Sequence, residues 1–137
     1  MFQENLAYAL TQLLHNFGAV AALSGAAFAL WARSLPPPRE MQLARLVALA
    51  WAVQIASGAG FGAVSYYYHG RLPDLHGVAV AALSTKIACA AAGLVLALVF
   101  AMRAGRWDQD GRTTSWGVLA ALAGIALAAA AFLRWFS

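Results

Sequence analysis

His15 and Lys86 have the clearest capacity for chemistry in this sequence, because each stands inside a long apolar run. His15 opens LLHNFGAVAALSGAAFALW, Leu13 to Trp31, a stretch without formal charge that Arg33 closes. A polar side chain in lipid is costly, so an intramembrane imidazole is first expected to serve a function. The plainer alternatives are a hydrogen bond to a neighbouring helix or snorkelling to the interface. Lys86 poses the same choice. It either snorkels to the nearby surface or faces the bundle. Facing inward, it would pair with a haem propionate or a substrate carboxylate, or ligate a metal in its neutral form. His69 falls in the second loop, and Asp74 and His76 at the start of the third apolar run. No nucleophile–base pair, phosphate-binding loop or paired carboxylate accompanies them.

The elements that position these groups follow from composition. Of 137 residues, 63% are hydrophobic and 10% charged, and the mean hydropathy is +0.70. A soluble domain of this length carries far more charge, so an integral membrane protein is expected. The net charge of +4 and pI near 9.8 do not point to nucleic acid. Lys and Arg gathered on one side of a membrane explain the sign. The single cysteine, Cys89, excludes an internal disulfide and a Cys-based zinc or iron–sulfur site, and reads as a small core residue. The start, MFQEN, has no basic segment, so the first span is expected to remain in the mature protein.

Four spans are predicted, from about Leu6 to Trp31, Gln42 to Tyr67, Asp74 to Met102 and Thr114 to Phe136. Each is apolar on nearly all faces, unlike an amphipathic surface helix. The recurring glycines, Gly18, Gly25, Gly58, Gly60, Gly62 and Gly93, allow close helix approach or leave room for a flat cofactor. Short loops predict an all-α, up-and-down four-helix bundle forming a single domain over residues 1–137. The prolines of SLPPPRE interrupt the chain between spans one and two, Asp74 is expected to cap the third span, and Thr113, Thr114 or Ser115 the fourth. Arg33, Arg39, Arg45, Arg103, Arg106 and Arg112 flank the first and third loops, whereas Arg71 and Arg134 mark the other side. The positive-inside rule then puts both termini outside, on the periplasmic side of a bacterial inner membrane.

Depth follows from helical rise. His15 lies 18 residues from Arg33 and Lys86 lies 17 from Arg103, roughly 27 and 26 Å respectively. The two should share one level just beneath the outer surface, with Ser65, Tyr66 and Arg134 near it. His76 should lie higher by roughly 12 Å or more, and His69 in the outer loop. Gln54 and Ser57 are expected to bond other helices.

Haem b needs one or two axial ligands, commonly His, and a gap between helices that admits a planar ring. His15 is the leading ligand candidate, with His76 second if the third helix tilts, and Lys86, Tyr66 and Arg134 are candidate contacts. Copper is the other metal that suits imidazole, and His69, His76 and Asp74 would make an outer site.

At these residues the chain resembles a known superfamily. His15 precedes Gly25 by ten residues, Arg45 opens the second span, Ser57-Gly58 follows, and Thr85-Lys86-Ile87 lies in the third. The combination resembles the membrane domain of the CopD copper-resistance proteins and, more distantly, the HemJ-type protoporphyrinogen oxidases. The resemblance covers about three of the four spans. The HemJ-type likeness implies haem b, with His15 and Lys86 as the important residues, and the CopD likeness implies periplasm-side copper handling. Ala21 and Ala22 stand where the superfamily usually has a tryptophan. Three functions are thus expected of this architecture. The first is a haem b electron-transfer protein, as the membrane subunit of a larger redox complex between quinone and a periplasmic carrier. The second is CopD-like copper handling, and the third is a cofactor-free structural subunit.

Overall fold

The computed structural model describes residues 1–32 and 34–137, so Arg33 lies outside the described residues. It is an all-α bundle of α1 (Phe2–Ala32), α2 (Pro37–His69), α3 (Val78–Arg103) and α4 (Gln109–Phe136), with a single 3₁₀ turn, Ala104–Arg106, after α3. All four helices are long and apolar enough to cross a membrane, which makes this a multi-pass membrane protein.

Helix limits depart from the apolar runs where local chemistry allows. The second helix starts inside the proline run, with Pro36 at the N-cap and Pro37 as its first residue. A proline costs nothing there, because the N–H it lacks would have had no partner in the first turn. Asp74 does not cap α3. Its carboxylate faces His76 instead, at 2.9 Å from Nε2, and the helix begins after Gly77, whose φ of +53° suits a residue without Cβ. The cap of α4 is also earlier than expected. Asp108 Oδ1 accepts the N–H of Gly111 at 2.8 Å, so Thr113, Thr114 and Ser115 fall inside the helix. The end of α2 closes on Gly70, with φ of +67° and its N–H on the Tyr66 carbonyl.

Each helix packs on its neighbour in sequence, and α4 returns to α1 to close the ring. In lipid, apolar burial gives helices little reason to associate, so close packing of small residues matters more. The core reflects this. Ala26, Ala44, Ala79, Ala97 and Ala104 are fully enclosed, and Trp51, Trp116, Phe100 and Leu119 fill the space between them. Gly93 is one of the residues that makes room. A Cβ there would fall 2.7 Å from Trp51 Cζ2, so the indole can lie on α3 only because the side chain is absent. Gly25 likewise admits Val47, at 2.6 Å from a notional Cβ.

Both ends of the bundle are tied by contacts between polar side chains of different helices. At the end holding both termini, Glu4 Oε1 meets His69 Nε2 at 2.9 Å. At the opposite end, Arg112 Nε lies 2.7 Å from Glu40 Oε2, with Glu40 3% and Arg112 9% exposed. The two atoms are close but poorly aligned for a hydrogen bond. The other guanidinium nitrogens donate to Trp107 O at 2.5 Å and to Gln109 Oε1 at 2.9 Å. Arg112, which reads as a loop charge in sequence, is a buried link between α2 and α4.

Candidate functional site

Near the end that carries the termini, α1 and α4 part to leave a half-open cavity of about 740 Å³, floored by α2 and α3. Cofactor pockets typically measure roughly 300–1,000 Å³. The α4 wall is built largely of alanine at helical spacing, Ala123, Ala126, Ala130 and Ala131, and Ala19 and Ala22 face it from α1. Small side chains on both walls leave room between the two helices. The polar lining is His15, Gln12 and Asn16 from α1, Gln54 from α2, Lys86 from α3, and Arg134 with Ser137 at the mouth.

His15 is 8% exposed and held from several directions. Its Nδ1 lies 2.7 Å from Ser57 Oγ, and its Nε2 lies 2.7 Å from Lys86 Nζ. Gln54 Nε2 donates to the His15 carbonyl, and Phe61 presents its ring edge-on, with centroids 5.6 Å apart. Lys86 sets the tautomer, because an ammonium can only donate to Nε2. The Ser57 hydroxyl, which also reaches the Val53 carbonyl at 2.6 Å, is placed to accept from Nδ1. Nδ1 therefore carries the hydrogen and Nε2 the lone pair, which accepts from Lys86. This is the arrangement of a ligating histidine, whose second nitrogen donates to a fixed acceptor.

The structure brings together His15, Lys86 and Arg134, and joins Gln54, Ser57 and Trp51 to them. Their common depth was legible from helical rise, but the contacts were not. Nothing in the sequence singled out Trp51 or Phe61, since an aromatic in an apolar run reads as core. Three other candidates lie away from the cavity. Tyr66 is 63% exposed and turned outward, because the inward position beside it belongs to Ser65, whose hydroxyl donates to Arg71 O at 2.9 Å. His69 is engaged by Glu4. His76 lies before α3 begins, on the exposed loop between α2 and α3, with Asp74 as its partner. It is not opposite His15. Among the described residues no three His, Cys, Asp or Glu side chains gather as a metal site, so His69, His76 and Asp74 do not form the expected outer set.

No family model, curated protein or solved structure matches the chain.

Proposed function

We propose that this protein binds haem b through His15 and passes electrons, as the membrane subunit of a larger redox complex. In this reading it lies in a bacterial inner membrane with both termini periplasmic, between quinone and a periplasmic electron carrier. The observation that carries the proposal is the buried His15 ring on the wall of the cavity between α1 and α4, held by Ser57 at Nδ1 with only the movable Lys86 side chain at Nε2. The donor set suits the group, because imidazole is a common axial ligand and the alanine walls suit a flat ring. Lys86 and Arg134 are the cations available to its propionates. When bound, haem would supply one-electron chemistry, and the chain would orient it and limit water around it. The likeness to HemJ-type proteins, in which a first-span His and third-span Lys matter, accords with this pair.

The test is the visible spectrum of the purified protein. A Soret band with a sharp reduced α band is expected, lost in His15→Ala and retained in His69→Ala. A chromophore that survives His15→Ala would refute ligation by this residue. A colourless protein carrying stoichiometric copper would favour copper handling instead.

A further inference from the structure

The cavity holds cationic side chains and no acidic one. Of the five Asp and Glu residues, Glu4 serves His69, Glu40 serves Arg112, Asp74 serves His76, Asp108 caps α4, and Asp110 is exposed beyond that cap. None lines the cavity. Lys86 and Arg134 do line it, and neither makes an ion pair among the described residues. Lys86 instead spends a donor on the neutral Nε2 of His15 at 2.7 Å. A cation at membrane depth is ordinarily paired or snorkelled to water, and a lone pair is a weaker partner than a carboxylate.

The same contact caps the nitrogen that a metal would take. We infer that Lys86 is a displaceable cap on His15, and that the ligand must bring the carboxylate that draws Lys86 away. Anion recognition and access to His15 Nε2 are then one event. A ring without acidic groups leaves Lys86 on His15 and binds more weakly, whereas a ring bearing carboxylates supplies the missing counter-charge. Arg134, at the mouth, provides a second cation for the same ligand edge. The choice of ring rests on the haem reading, but the requirement for an anion rests on Lys86 and Arg134 having no ion-pair partner among the described residues.

Metal-free protoporphyrin IX separates the two, because it carries both carboxylates and cannot coordinate His15. Its fluorescence is titrated against the full-length protein in detergent micelles, beside the dimethyl ester of the same ring. The diacid should bind about tenfold more tightly or better, as expected for a charge-assisted hydrogen bond in place of a neutral one. Lys86→Gln should abolish most of that preference while ester binding and helical circular dichroism persist, and Lys86→Arg should restore it. Equal affinity for diacid and ester would overturn the inference, as would a preference that survives Lys86→Gln, or no saturable binding of either ring. Haem ligation fails by another signature, a Soret band indifferent to His15→Ala, so the two ideas can fall separately.

Discussion

Ser57 and His15, on neighbouring helices, are joined by a hydrogen bond of 2.7 Å between Oγ and Nδ1, which leaves Nε2 to Lys86 at the cavity. A residue of α2 thus helps to hold the imidazole of α1 in its orientation. Ser57→Ala would remove the partner of Nδ1 and loosen the ring. If His15 ligates haem, the variant should lose about ten- to a hundredfold in haem affinity, the usual cost of removing such a support. Ser57→Thr keeps the hydroxyl and should recover much of it. Titration of apoprotein with haem measures both, and wild-type affinity in Ser57→Ala would show that the ring is held by other means.

The Glu40–Arg112 pair makes a second prediction, this time about stability. Removing one partner of a buried pair leaves an uncompensated charge and costs about 3–5 kcal/mol. Arg112→Met should incur a loss of that order, and adding Glu40→Gln should recover most of it, since no buried charge then remains. Unfolding in mixed micelles with increasing denaturing detergent is a suitable assay. A loss below about 1 kcal/mol in the single variant would mean that headgroup water reaches the pair.

Orientation is the third. With Arg39, Arg45, Arg103 and Arg106 exposed at one end of the bundle, that end should be cytoplasmic and the cavity should open near the periplasmic face. An exported reporter fused to the C-terminus should be active, and a cytoplasmic reporter silent. The reverse pattern would put the His15 cavity on the cytosolic side and require a different electron partner.

The sequence by itself determined the membrane class, the four helices and the shared depth of His15 and Lys86. Those follow from one-dimensional quantities, a run length and a fixed rise per residue, which need no knowledge of neighbours. Helix ends were less legible. A proline start for α2 and an Asp108 cap for α4 depend on which backbone donors find partners, and several side chains nearby could have served. Only the tertiary structure decided rotation. Nothing in a helix that is apolar on nearly every face says which side turns inward, so whether Tyr66 or Lys86 faced the bundle was open until packing separated them. Tyr66 went to the outside and Lys86 to His15. The same holds for Arg112, a loop charge in sequence whose burial depends on Glu40 arriving from another helix. Charge pairing across helices and the tautomer of a histidine are properties of two or three chain segments at once, and they exist only after the bundle has closed.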